Sequence, residues 1–365
     1  MNGAESLIRT LLASGVDTCI ANPGTSEMHF VAALDQVEGM RCVLGLAETV
    51  VTGVADGYAR MAGKPAATLL HCGPGFANSL ANVHNARRAH TPMVNIVGDQ
   101  ASYHRPYDAP LTADTEGLAR ASSDWVRTSA AAASVGADAA AAVQAANTAP
   151  GQIATLILPA DTAWNEGGVV ATPLPAPKRA SVAPDTVRSI AQVLRSKEPA
   201  VLVLYGQALS EAGLVAANRV AQVSGAKLRT PTQVSRMARG RGRVPVDRIP
   251  YALEGALKML AGTKQVILVG AKPPTAFFGY PGKPSLMAPA DADTHVLARA
   301  EQDAIEALNA LADELGAPKT VPIPEGGIKP QLLQGKFEPV AFATTLAALL
   351  PENCIVAEDG VTSGR

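Results

Sequence analysis

Three short stretches carry side chains able to do acid–base work. Asn22-Pro23-Gly24-Thr25-Ser26-Glu27 offers a hydroxyl beside a tight Pro-Gly turn, Ala47-Glu48 a carboxylate, and His71-Cys72-Gly73-Pro74-Gly75 an imidazole beside a second glycine-bearing turn. A carboxylate and an imidazole are the groups that take up and give back protons near neutral pH. Taken singly, each has a plainer reading: Glu48 as an acid complementing a helix dipole, His71 as a hydrogen-bonded structural histidine. Their weight comes from a shared position.

Each stretch follows a short apolar run, at Thr18–Ala21, Cys42–Leu46 and Ala66–His71, and helical patterns alternate with these runs. Asn2 and Glu5 make a capping box for an opening helix through Leu7, Ile8, Leu11 and Leu12, ending near Gly15. Helices are then predicted over Glu48–Met61 and Phe76–Ala89, and strands over Met93–Val97 and Thr155–Leu158. Apolar runs without in/out alternation indicate parallel strands covered on both faces. In such sheets ligands bind beyond the carboxyl ends of the strands, where all three stretches fall. The alternation resumes with helix Asp185–Arg195, strand Ala200–Tyr205, helices Glu211–Ser224 and Tyr251–Leu260, strand Gln265–Gly270 and helix Glu301–Leu315. Helix Val340–Leu350 and strand Cys354–Ala357 follow. The expected class is therefore α/β: two doubly wound parallel-sheet domains, 1–166 and 185–317, joined by Pro-rich linkers 167–184 and 318–339 to the start of a third at 340–365.

Composition narrows the function classes. The 31 Lys+Arg and 32 Asp+Glu leave a formal charge of −1, so no global attraction for nucleic acid or an anionic membrane is expected. The four cysteines lie far apart without a C-x-x-C pair, which argues against zinc and fits thiols in a reducing cytosol. No leader-like segment opens the chain and no apolar run reaches about 18 residues, so the expected location is cytoplasmic. The Ala-rich stretch Ala130–Ala146 reads as a surface helix. Arg236, Arg239, Arg241 and Arg243, interleaved with Gly240 and Gly242, read as a solvated turn, with an anion or FAD/ADP phosphate site as the less favoured option. No G-x-G-x-x-G follows a strand, and His29, His84, His90, His104 and His295 are assigned structural or surface roles.

Taken together, Gly15-Val16-Asp17-Thr18, Asn22-Pro23-Gly24, Ala47-Glu48, Ala55-Asp56-Gly57-Tyr58-Ala59-Arg60, Gly63-Lys64-Pro65, Gly73-Pro74-Gly75 with Asn78, and Thr91-Pro92 form an ordered series. In order and spacing this series resembles the pyrimidine-binding domain of the thiamine-diphosphate (ThDP) enzymes of the acetolactate synthase, benzoylformate decarboxylase and pyruvate decarboxylase type. From Asp185 to Leu315 only the α/β pattern and domain order are similar to that family's central domain.

The resemblance implies a 2-oxo-acid decarboxylase or carboligase. Glu48 matches the glutamate that hydrogen-bonds the cofactor's aminopyrimidine, favouring the imino tautomer that removes the thiazolium C2 proton. Asn22, Pro23 and Gly24 match the turn beside pyrimidine and substrate; Gly73, Pro74, Gly75 and Asn78 match the pocket's other wall. Thr25 falls where benzoylformate decarboxylases place a substrate-contacting serine, with Ser26 one residue away. His71 leans toward the decarboxylases, and Gly73-Pro74-Gly75 toward the synthases. No histidine occurs in Phe277-Phe278-Gly279-Tyr280-Pro281-Gly282, where benzoylformate decarboxylases carry a second one. The Gly-Asp-Gly…Asn-Asn motif that holds magnesium and the diphosphate is absent, and Glu358-Asp359-Gly360 is not that motif. The expectation is a chain that stops before this motif, with Mg2+ ligands in the missing part and none among its own residues. The resemblance also implies a homodimer or homotetramer whose cofactor spans two subunits. The alternative is a non-catalytic pyrimidine-binding or regulatory subunit of a split enzyme.

Overall fold

The apolar runs become strands of two parallel sheets, all central except Cys42–Leu46, which forms an edge. The structure is a computed structural model, and it describes residues 1–323 and 328–358. The first sheet is built from α1 (Gly3–Ala13), β1 (Thr18–Asn22), α2 (Met28–Gln36), β2 (Arg41–Leu44), α3 (Glu48–Ala62), β3 (Ala66–Leu70), α4 (Cys72–Arg88) and β4 (Met93–Asp99). It is completed by α5 (Thr115–Ser122), β5 (Trp125–Thr128), α6 (Ala132–Asn147), β6 (Ile153–Pro159) and α7 (Ala160–Trp164). Strand order is β2-β1-β3-β4-β6-β5, and every pairing is parallel. The inner strands β3, β4 and β6 are buried at every residue, as strands covered on both faces must be, whereas edge strand β2 is largely exposed.

Two apolar clusters sandwich this sheet. One joins Leu7, Ile8 and Leu11 of α1, Phe30 and Ala33 of α2, and Val135, Ala139, Ala142, Val143 and Ala146 of α6 to the strands. The other joins Val51 and Ala55 of α3, Phe76 and Val83 of α4, and Ala119 of α5 to the opposite face. The Ala-rich segment expected at the surface is thus a core helix. Alanine lets α6 pack closely against α1 and the sheet, and its lack of bulk hides which face is inward. Asn2 caps α1 through a 2.9 Å bond from the Glu5 N–H, as the sequence predicts. Helix α3 stops at Gly63, whose φ of 69° provides the left-handed residue that commonly follows a helix end.

The second sheet comprises α8 (Pro184–Arg195), β7 (Ala200–Leu204), α9 (Glu211–Ser224), β8 (Lys227–Thr230), β9 (Asp247–Arg248), α10 (Leu253–Leu260), β10 (Gln265–Val269), β11 (Asp293–Ala298) and α11 (Ala304–Glu314). Its order is β11-β10-β7-β8-β9, again parallel throughout. The expected strands at 200–205 and 265–270 form its centre. Strands β8, β9 and β11 were not expected, because Lys227, Arg229, Asp247, Arg248 and Asp293 interrupt any apolar run.

Residues 1–238 and 246–321 form one compact unit, and 239–245 with 322–365 a second. In the second unit α12 (Pro339–Leu349) matches the expected helix. Cys354–Ala357 is not a strand, since a strand exists only when paired and the described residues of this unit provide no partner. Of the Glu358-Asp359-Gly360 reading, Asp359 and Gly360 lie outside the described residues.

Candidate active site at the ends of β1 and β3

Strand β1 pairs with β2 on one side and β3 on the other, so the chain reverses its direction of winding between β1 and β3. A crevice opens beyond the carboxyl ends at such a switch point, and it is the usual ligand position in open α/β sheets. Asn22 ends β1, His71 directly follows β3 as the residue preceding α4, and Glu48 opens α3 after β2.

The loop ends are tied together. Asn22 Nδ2 donates to the Gly45 carbonyl at 2.7 Å, fixing the β1 end to the segment leading to Glu48. Asn78 Nδ2 donates to Glu48 Oε2 at 2.6 Å, and Thr49 Oγ1 donates to the Asn78 carbonyl at 2.7 Å. The second carboxylate oxygen, Glu48 Oε1, lies over Gly75: a methyl group there would stand 2.7 Å from it and 3.2 Å from His71 Cβ. Glu48 and His71 therefore meet at Gly75, and only the absence of a side chain leaves room between them. Gly24 plays the same part on the opposite wall, where a Cβ would fall 2.3 Å from the His71 ring. Gly73 is needed for a different contact, since a Cβ would meet the Ala113 methyl at 2.3 Å.

Glu27, the last residue of the Asn22–Glu27 stretch and given no role from sequence, is also part of this cluster. Its side chain is 1% exposed, and Oε2 accepts both the Gly24 N–H at 2.8 Å and a hydrogen bond from His71 Nδ1 at 2.8 Å. A buried carboxylate with two donors is stabilised by charge-assisted bonds. With Nδ1 held, Nε2 is the His71 nitrogen left to exchange a proton. The available signal was the spacing of Glu27 three residues after Gly24, the reach of a side chain folding back on the start of a helical turn.

Cys72 Sγ lies 3.2 Å from Ser26 Oγ and 3.8 Å from Glu27 Oε1, and burial pushes its thiol up to about 11. Ligand atoms of Glu27, His71 and Cys72 fall within 4.8 Å of one another, close enough for a metal ion. Each is already engaged: Glu27 by two donors, His71 by Glu27, and Cys72 as a protonated thiol beside Ser26.

Of the residues singled out from sequence, Asn22, Gly24, Glu48, His71, Gly75 and Asn78 are connected by these contacts. Pro23 lies in the turn between Asn22 and Gly24, Thr25 is exposed on the short 3-10 turn Thr25–Glu27, and Pro74 is exposed in the first turn of α4. That turn is a correction, since Gly73-Pro74-Gly75 was expected to precede the helix. Proline is accommodated there because its missing N–H would have no intrahelical partner. Four of the five remaining histidines have local partners: the His29 ring lies near Trp164, His90 near Tyr205, His104 near Tyr107, and His295 Nε2 lies 2.8 Å from Gln265 Oε1. Arg236 donates to the Arg60 carbonyl at 2.9 Å while Arg60 donates to the Ser235 carbonyl at 3.2 Å, so Arg236 ties the two sheets together.

Residues 1–122 match the family described as thiamine pyrophosphate enzyme, N-terminal TPP binding domain. The chain is 52% identical over 364 residues to "Putative acetolactate synthase large subunit IlvX" of Mycobacterium tuberculosis, covering 100% of this chain and 70% of that protein. It is 28% identical over 379 residues to the benzoylformate decarboxylase of Pseudomonas aeruginosa, covering 96% and 69%. Its fold resembles that of the Rhodococcus jostii RHA1 thiamine diphosphate-dependent 4-hydroxybenzoylformate decarboxylase with a TM-score of 0.81 and 20% identity, over 97% of this chain and 70% of that one. The chain belongs to the thiamine-diphosphate-dependent enzyme family. No helix among the described residues is long and apolar enough to cross a membrane.

Proposed function

We propose that this chain forms the pyrimidine side of the active site of a ThDP-dependent 2-oxo-acid decarboxylase or carboligase. The observation that carries the reading is the convergence of Glu48 Oε1 and His71 on Gly75. The residues present fit the aminopyrimidine: a carboxylate with one oxygen pinned by Asn78 and the other over a space that no side chain fills. They offer no counterpart for the diphosphate and Mg2+, whose Gly-Asp-Gly…Asn-Asn motif does not occur in the sequence, so neither is given ligands here.

When bound, ThDP supplies an electron sink for the carbon–carbon bond broken as a 2-oxo acid loses carbon dioxide. Glu48 would hold the aminopyrimidine by a hydrogen bond, with Asn78 fixing the direction of its carboxylate. His71, oriented through Nδ1 by Glu27, exchanges a proton with substrate or product at Nε2. Asn22 and Gly24 shape the wall beside it, and Thr25, exposed on the turn that follows, is taken as the substrate-contacting hydroxyl. Leu46, Val50 and Val54 are 88%, 51% and 44% exposed around Glu48, an apolar surface that supports a homodimer or homotetramer covering this site. Four thiols and a near-neutral charge support a cytoplasmic enzyme.

The test is proton exchange at C2 of ThDP bound to the assembled protein. Glu48→Ala should abolish it, and exchange at the wild-type rate would overturn the assignment.

A further inference from the structure

Cys19 and Cys42, 23 positions apart in sequence, are directly opposite one another in the parallel ladder between β1 and β2. Neighbouring strands lie about 4.8 Å apart, and disulfides form across Cα separations of about 4.4–6.8 Å. Paired residues of a parallel ladder point to the same face of the sheet. Here that is the face covered by α1 and α2, because Cys19 and Ala21 belong to that cluster, whereas Ile20 belongs to the α3/α4 cluster. The pair is therefore on the side of the sheet away from the helix that Glu48 opens.

The two thiols differ in access. Cys19 is completely buried, while Cys42 is exposed on edge strand β2. Their adjacency lets the thiols interact, which lowers Cys42 to about 7 and, together with burial, raises Cys19. One exposed thiol with thiolate character, backed by a buried partner, is the arrangement of an attacking and a resolving cysteine. Cys72, by contrast, is buried and its thiol is raised.

We propose that Cys19 and Cys42 form a reversible intrachain disulfide when the protein meets a peroxide. The Cys42 thiolate attacks one peroxide oxygen, the O–O bond breaks, and hydroxide leaves, giving the Cys42 sulfenic acid. The Cys19 sulfur then attacks the Cys42 sulfur, the S–O bond breaks, and the departing hydroxide leaves as water with the Cys19 proton. The thiols lose two electrons and two protons, and one hydrogen peroxide becomes two waters. A dithiol reductant reverses the step by exchange. The crosslink joins β1 three residues before Asn22 to β2 three residues before Gly45, the pair already linked by the Asn22–Gly45 hydrogen bond. It thus ties together the two strands that lead into the site without using a site residue.

The experiment treats the reduced full chain with hydrogen peroxide, then measures free thiols after denaturation, the intact mass and the unreduced peptide map. Free thiols should fall from four to two, the monomer mass by about 2 Da, and a Cys19–Cys42 linked peptide should appear that dithiothreitol removes. Cys42→Ser, an exposed change that leaves the core intact, should retain its three remaining thiols. Cys19→Ala should stop at a Cys42 sulfenic acid that dimedone captures. A wild-type chain that loses no mass and accumulates dimedone-reactive Cys42, or that links Cys42 to Cys72, to Cys354 or to a second chain, would overturn the proposal.

Discussion

The two sheets have the same construction and different contents. Each is parallel, five or six strands wide, with fully buried central strands. At the carboxyl ends of the first lie the Asn22 amide, bonded to the Gly45 carbonyl, the His71 imidazole, bonded to Glu27, and the Glu48 carboxylate, bonded to Asn78. At the same ends of the second, Tyr205 lies by the Arg88 carbonyl and Gly270 by the Tyr205 backbone, and the strongest polar cluster is elsewhere. There Arg219, 4% exposed on α9, donates to Asp313, Asn309 and the carbonyls of Pro318 and Ala317. Polar groups in the first sheet are gathered where a ligand can reach them, and in the second where they hold a helix pair and the following loop. The fold alone would not separate the two, so the functional argument rests on the site.

Four substitutions sharpen or break this contrast. Glu48→Ala should lower turnover by about 100-fold or more, the scale of a positioned acid–base group, with melting temperature little changed. Steady-state kinetics beside thermal unfolding checks it. Arg219→Ala should do the reverse, costing about 1–3 kcal/mol of unfolding free energy because Asn309 and the Pro318 and Ala317 carbonyls lose a buried donor, while the half-exposed Asp313 keeps Lys319. Its ThDP affinity per folded molecule should stay at the wild-type value, and a lowered affinity would blur the contrast. Glu27→Gln retains an acceptor for the Gly24 N–H but removes the charge beside His71. We expect turnover reduced about tenfold, part of the ~10²–10⁴ of an acid–base group, with ThDP affinity retained and the pH profile altered.

The smallest effect is expected at Lys64–Asp17, a 2.6 Å pair whose side chains are 37% and 50% exposed. Lys64 lowers Asp17 below its usual value, and Asp17 raises Lys64. The lowered Asp17 contributes stability above its unfolded value, lost as pH falls through the folded one; the raised Lys64 contributes below its unfolded value, lost as pH rises through the folded one. Solvent screening keeps the pair under about 1 kcal/mol. Lys64→Met should therefore lower stability slightly across the middle of the pH range and leave the acid and alkaline extremes, where the pair is already lost, unchanged, as denaturation across pH would show.

The central strands were legible because burial on both faces demands continuous apolar residues. Strand β8 and the edge strands β9 and β11 were not, since charged residues interrupt their apolar runs and their pairing is a tertiary fact. Helix α6 was placed on the surface because alanine marks no face. Asn22, Glu48 and His71 could be found because each follows a strand, and position along the chain is enough to put them on one edge. Glu27 escaped because its partner is 44 residues away, and nothing local distinguishes a buried carboxylate from a solvated one. Cys19 and Cys42 escaped for the same reason: distant in sequence, they meet only through strand register.

Glycine 75 offers the most direct test of the account, through ThDP affinity and C2 proton exchange measured on the assembled protein before and after Gly75→Ala. Alanine favours the helix in which residue 75 sits, so the fold should persist by circular dichroism. Its methyl would displace Glu48 Oε1 from the position that Asn78 enforces. The account predicts loss of exchange and weakened ThDP binding; a variant that binds ThDP and exchanges C2 as the wild type does would contradict it.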